Sequence, residues 1–286
     1  MKESYAWIAY DLLTGVKGYG ILDELAYIID LIFGVIARKT FSPNSLPGHF
    51  LFKDVCLKVK ARGALFYCPA GTDILFHILP YYERKTTQFV NSILRPGDTF
   101  IDVGAHAGVY TIPAARIVDP GLVVAIEPSP INKILLRNIK LNGLRNVILV
   151  SKAAYSERKM LDLYYDLQRS GLSSIVWQRK DIARRIGGGK VNLSRIKVEA
   201  EPLDEILAEI GLSLNCVKLL KIDVEGAEVH VLSGAHQILR KTKYVIFETG
   251  RETSGKCLKI LKSFNFRISL LERSRLGRHN YLAVKT

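Results

Sequence analysis

A mostly parallel, doubly wound α/β sheet with one antiparallel strand is the fold this sequence predicts, on three observations. Phe100-Ile-Asp-Val-Gly-Ala-His-Ala-Gly-Val-Tyr-Thr111 runs from a short apolar strand through an acid and two glycines into an apolar helical pattern. Leu122 to Ile126 reads as a second apolar strand, and Glu127 ends it, 25 residues after Asp102. Strands then alternate with helices as far as a closing hairpin at Phe266–Leu271 and Asn280–Val284, which supplies the antiparallel strand.

The elements follow in chain order. Ile21 to Arg38 is strongly apolar, yet Asp23, Glu24 and Asp30 interrupt it and the clean part is too short to span a bilayer. It reads as a helix packed on the domain or on a second copy, or as one lying on a membrane surface with Arg38 and Lys39. Ser42 to Gly48 is a linker by composition. Val55–Lys60 and Ala64–Cys68 predict a β-hairpin at one edge or mouth of the site. Thr86–Leu94 predicts a helix, and Glu83 before it is either a first-turn acid or a group that looks into the site. An extension over 1–80 therefore precedes a main domain over 81–286.

In the core, Thr99–Val103, Leu122–Ile126, Val147–Val150, Val217–Ile222 and Lys243–Glu248 read as strands. The intervening helices start near Pro113, Pro130, Leu203 and Cys257, with Asn142-Gly143 stopping the second. Met160–Tyr165, Ser174–Trp177 and Ile196–Glu199 are expected as inserted strands. Between the last two lies a basic, glycine-rich stretch, about 178–195, that reads either as a lid recruiting an anionic substrate or as a passive insertion.

Composition bounds the function. The 286 residues, 48% hydrophobic and 24% charged, can build a sizeable core, which excludes a disordered chain. A formal charge of +14 favours anionic partners, or is simply solvated. Four cysteines without C-x-x-C spacing read as free thiols in a reducing compartment, hence a cytoplasmic protein, with a Cys56–Cys68 pair as the alternative. No metal site is expected, because no histidine falls at ligand intervals from them.

The acids decide which nucleotide binds. A carboxylate beside the loop repels a pyrophosphate at the helix N-terminus and attracts a cationic ammonium. S-adenosylmethionine offers that ammonium, a sulfonium and no phosphate, and Glu127 is placed to accept from both ribose hydroxyls. The expected cofactor residues are Asp102, Gly104, Ala105, His106, Gly108, Tyr110, Thr111, Glu127, Pro128, Ala153, Ala154 and Asp223. The glycines are read as permitting positive φ and close ligand approach, and the alanines as a wall for adenine. Asp223, Glu225 and, as a weaker candidate, Glu248 stand at strand ends where an acceptor hydroxyl would be oriented or deprotonated.

The runs I-D-V-G-A-H-A-G-V-Y-T, I-E-P-S-P, L-N-G, K-I-D-V-E-G-A-E with L-S-G-A behind it, and F-E-T resemble the FkbM family of S-adenosylmethionine-dependent methyltransferases, from about Tyr82 onward. The resemblance implies a class I methyltransferase (Rossmann-like) sheet of order 3-2-1-4-5-7-6 and O-methylation of a sugar-like or other hydroxylated substrate. It implies that Asp102, Gly104 and Gly108 line the methionine side, Glu127 the ribose and Ala154 the adenine. Asp223, Glu225 and Glu228 fall on the family's acidic motif, while His106 stands at a variable position with no chemical role.

Two rival readings stay open. A nucleic-acid methyltransferase suits the charge, but the fourth strand lacks the D/N-P-P-Y run and Cys216 lies at its wrong end. A non-catalytic scaffold or membrane-surface protein would use the segment over 21–39, at the inner membrane face; the same helix suits a homodimer contact.

Overall fold

The computed structural model describes residues 16–25, 27–29, 54–79, 82–176, 193–212, 215–273 and 277–286. Three short strands come first, β1 (Val16–Gly18), β2 (Val55–Val59) and β3 (Ala64–Cys68), paired antiparallel in that order. The expected hairpin is thus two strands of a three-stranded sheet with β2 at its centre, because Val16–Gly18 pairs along the other edge of β2. Helices α1 (Ile74–Ile78) and α2 (Arg84–Ile93) lead into β4 (Thr99–Val103), α3 (Thr111–Val118), β5 (Leu122–Ile126), α4 (Asn132–Leu141) and β6 (Val147–Val150). A second small sheet follows, β7 (Ala153–Tyr155), β8 (Lys159–Tyr165) and β9 (Ser194–Pro202), in order β7-β9-β8. Helix α5 (Leu203–Glu209), β10 (Val217–Ile222), α6 (Glu228–Ser233), α7 (His236–Lys241), β11 (Thr242–Thr249), α8 (Arg251–Ser263), β12 (Phe266–Arg273) and β13 (His279–Lys285) complete the chain.

The main sheet runs β12-β13-β11-β10-β4-β5-β6. Strands β11, β10, β4, β5 and β6 are parallel, and β13 is antiparallel to both of its neighbours. Parallel strands are covered on both faces, so their apolar runs need not alternate with polar residues. Phe100, Val123, Leu219 and Ile246 face a layer shared with α3, α4 and the extension's Leu57 and Phe66. Ile101, Val124, Leu220 and Val245 face the opposite layer, formed with α5 to α8. Full burial of each such side chain is worth roughly 1.5–3 kcal/mol. One pair breaks the apolar run: Asp102 on β4 stands in register with Lys221 on β10, both nearly fully buried. A slip of one residue would send each of them to the opposite, purely apolar layer, so this pair helps to fix the register.

Arg62, in the short turn between β2 and β3, anchors the extension. Its buried guanidinium donates to the carbonyls of His77, Ile78, Leu79, Tyr82 and Val109. Burial lowers its pKa, against the opposing pull of Tyr110 and Glu83. Those carbonyls belong to the end of α1, to the chain between α1 and α2 and to the loop after β4, so a single side chain ties these segments together.

Several expectations need correction. The strand expected over Ser174–Trp177 is reduced to one bridge between Ser174 and Tyr164, and Trp177 lies outside the described residues. The strand expected over Ile196–Glu199 is longer, because β9 pairs along the whole of β8. Ala153 to Tyr155 is a strand the sequence did not announce; its three residues are all buried. All four cysteines are free: Cys68 stands directly opposite Val55 rather than Cys56. The basic stretch of 178–192, the linker over 42–48 and the second half of the apolar segment over 21–38 lie outside the described residues. Among the described residues no helix is long and apolar enough to cross a membrane.

Candidate active site

The carboxyl ends of β4, β5, β10 and β11 open into a cavity of about 970 Å³. Its first wall is the loop after β4. Gly104 and Ala105 donate their amides to the Ile126 carbonyl, which turns the chain sharply off the strand. A Cβ on Gly104 (φ +82°) would lie 1.8 Å from the Asp223 carbonyl oxygen, and one on Gly108 (φ +91°) 2.6 Å from Leu135. Both glycines take the expected positive φ, and close packing of neighbouring protein adds a second reason for glycine at each. Asp102 lies behind the wall with one carboxylate oxygen accepting from the Thr111 hydroxyl at 2.6 Å. Burial raises its pKa, against the pull of Lys221 and Thr111. Its other oxygen, Oδ1, finds no hydrogen-bond partner among the described residues.

Glu127 forms the next wall. It accepts from the His106 amide at 2.8 Å and the Ser129 amide at 2.9 Å, and burial raises its pKa against these bonds. Each carboxylate oxygen retains a lone pair after those bonds, enough for two ribose hydroxyls. Ala153, Ala154, Leu163 and Ile175 continue the wall as apolar surface. Replacing Glu127 with Gln removes the charge from these contacts. Charge-assisted hydrogen bonds contribute about 1.5–3 kcal/mol, so calorimetry should show adenosylhomocysteine binding weakened roughly ten- to a hundredfold.

The far end is acidic. Asp223 follows β10 and pairs with Lys221 at 2.9 Å. Burial alone would raise the Asp223 carboxyl, but the Lys221 ammonium outweighs it and holds the pKa below its usual value. Burial likewise works against Lys221, and Asp223, Glu83 and Asp102 together keep its pKa raised. Glu248, at the end of β11, accepts from Arg278 Nε at 2.8 Å. Its carboxyl is nevertheless pushed up to about 7 by burial and by the Asp223 charge, against the pull of Arg278. Arg278 also pairs with Glu228 at 2.5 Å and with Glu225 at 3.5 Å. Glu83 closes this end in a left-handed conformation (φ +45°), accepting from the Tyr110 hydroxyl at 2.6 Å and the Asn280 amide at 2.8 Å.

Of the residues expected from sequence, Gly104, Ala105, His106, Tyr110, Glu127, Pro128, Ala153, Ala154, Asp223, Glu225 and Glu248 line one cavity. Asp102, Gly108 and Thr111 stand behind it, where they shape the loop. Glu228 is fully buried, bound to Arg278 and to the Gly226 amide, so it supports the site from behind. Sequence reasoning missed Lys221 and Arg278. Lys221 carried a usable signal, a charge at the inward phase of an apolar strand; Arg278 carried none, being one of many basic residues. His106 is a wall residue whose burial lowers its imidazole pKa to about 3.

The cavity's charge bears on the ligand. Among its described lining residues, seven carboxylates face three cations, Lys221, Arg273 and Arg278, in a chain whose net charge is +14. A negative pocket in a positive protein selects a cation and disfavours a pyrophosphate. With Glu127 and the alanine wall, this lining fits S-adenosylmethionine.

The chain is similar to known methyltransferases. A family model described as the methyltransferase FkbM domain matches residues 102–272. The chain is 30% identical over 179 residues to methyltransferase sdnD of Sordaria araneosa, covering 55% of this chain and 68% of that protein. It is 32% identical over 163 residues to the 31-O-demethyl-FK506 methyltransferase FkbM of Streptomyces tacrolimicus, covering 49% of this chain and 60% of that one. Among solved structures it is similar to an S-adenosylmethionine-dependent O-methyltransferase from Thermotoga maritima, with a TM-score of 0.44 and 15% identity over 72% of this chain and 66% of that one.

Proposed function

Since the chain belongs to the FkbM methyltransferase domain family, whose cofactor is S-adenosylmethionine, we propose that it methylates a hydroxyl oxygen of a small or glycan-type molecule. One observation supports the choice of acceptor: Asp223, Glu225 and Glu248, which can accept a proton, line the same cavity as Glu127, Ala153 and Ala154. The cofactor supplies, when bound, a sulfonium methyl with a neutral thioether as leaving group. An alcohol must lose its proton as its oxygen is alkylated, and a carboxylate with a pKa near the working pH is the best-matched acceptor for it. Glu248 has that property.

Asp223 is a poorer base because Lys221 stabilises its charge; its place is to orient the acceptor through a fixed carboxylate oxygen. Arg278 holds Glu225 and Glu248 at a set separation. The carboxylate excess favours a neutral or cationic acceptor over nucleic acid, whose phosphates it would repel.

Incubation of the enzyme with cell extract and isotope-labelled methyl donor, followed by mass spectrometry, identifies the acceptor. Label is expected on the oxygen of a hydroxylated small molecule or glycan, and an Asp223→Asn, Glu225→Gln double variant should lose most of it. Label on RNA, or undiminished transfer by the double variant, would count against the reading.

A further inference from the structure

Asp73, His77 and His106 are brought together by three parts of the fold that sequence spacing does not connect. Asp73 precedes α1, His77 sits within it, and His106 lies in the loop after β4. One ligand atom from each lies within 4.8 Å of the other two, and all three residues line the cavity. We propose that they form a binding site for a first-row divalent metal ion of the kind that imidazole and carboxylate hold together.

One local hydrogen bond prepares His77 for that task. His77 Nδ1 lies 3.1 Å from the Asp73 carbonyl oxygen, which can only accept, so Nδ1 carries the proton and Nε2 offers its lone pair. Metal-bound histidines are commonly oriented by such a bond from the second ring nitrogen to a backbone carbonyl. His77 Nε2 faces Gly171, where a Cβ would come within 2.9 Å. Asp73 Oδ1 accepts from both the amide and the hydroxyl of Ser170, which leaves the Ser170 oxygen to accept from His106 Nε2–H at 2.6 Å; an ion bound by His106 Nε2 replaces that bond and takes the Nδ1–H tautomer. All three donor groups therefore converge on Ser170 and Gly171. A rotamer change at Ser170 clears the space between Asp73 and His106, or leaves its oxygen as a further ligand.

The surroundings favour a cation. The cavity carries an excess of carboxylates, and these imidazoles add no positive charge when neutral. The other cluster of acids, Asp223, Glu225 and Glu248, is already matched by Lys221 and Arg278, which compete with any ion there. An ion at the histidine site would keep open positions toward the cavity, where it would bind the acceptor's oxygen as a Lewis acid. That role rests on the proposed function, whereas binding of the ion does not.

Co2+ titration of the chelator-treated full-length protein, followed by visible absorption, tests the site. Expected are ligand-field bands that saturate at one Co2+ per chain. Binding should weaken by more than about tenfold in His77→Ala, His106→Ala and the milder Asp73→Asn, and persist in a Glu225→Gln, Glu248→Gln double variant. Absence of saturable bands in the wild type overturns the proposal, as does loss of the bands only in the double variant. Circular dichroism on each variant separates loss of the site from loss of the fold. Metal uptake by a protein that transfers no methyl group would leave the site standing and remove the proposed function. Methyl transfer by a protein that takes up no Co2+ would do the reverse.

Discussion

Glu248→Gln is expected to lower kcat/KM for methyl transfer by about 10²–10⁴-fold, the usual contribution of a positioned general base. The substitution keeps the shape of the side chain and its contact with the Arg278 guanidinium, so the loss reads proton transfer more than packing. The pH profile distinguishes the base from a merely structural acid. The charged and titratable groups around Glu248 are Arg278, Asp223, Glu225 and Glu83, and burial with the Asp223 charge pushes its carboxyl up to about 7. The ionised form is the base, so wild-type kcat/KM should rise with pH through 7 and fall about tenfold per unit below it. In Glu248→Gln this limb should vanish. The stability linkage has the opposite sign: the native state takes up the Glu248 proton more readily than the unfolded chain. The resulting stabilisation is full below an unfolded pKa of about 4.5 and is lost as pH rises through 7. Activity and stability should therefore move in opposite directions across that window. A Glu248→Gln enzyme with an unaltered pH profile would remove Glu248 as the base.

Gly104→Ala is expected to destabilise the fold by more than about 4 kcal/mol. Two effects add. A side chain in the left-handed region costs about 1–2 kcal/mol, and the new Cβ would sit 1.8 Å from the Asp223 carbonyl oxygen and 2.8 Å from its carbon. Backbone at the end of a central strand cannot swing aside as a flexible side chain would, so β10 or the loop after β4 must move. Either movement displaces Asp223 and the cofactor wall together. Gly63→Ala is the control, because Gly63 has a similar φ of +59° with open space around it. It should show only the conformational part. Chemical denaturation midpoints of both variants make the comparison, and a Gly104→Ala no worse than Gly63→Ala would refute the close approach.

The difference between these positions shows what pattern alone can and cannot supply. Both are glycines at the ends of strands or turns, and both take positive φ. Only the neighbour from β10, more than a hundred residues later in the chain, separates a tolerant position from an intolerant one. The same holds for Glu248 and Asp223. Each is an acid at a strand end, and the local pattern favoured Asp223 and Glu225 as bases. Burial pushes the Glu248 carboxyl up to about 7, while the Lys221 ammonium holds that of Asp223 below its usual value.

The sequence by itself determined the α/β class and the course of the central strands, because hydrophobic period is a local property. It also determined the character of the cofactor, through Glu127 and the acid-bearing loop. Tertiary structure alone decided that Asp102 stands behind the wall, that Arg278 joins Glu225, Glu228 and Glu248, and that Asp73 and His77 meet His106. Those outcomes depend on which distant residues share a desolvated space, where charge interactions are strong enough to reorder pKa values.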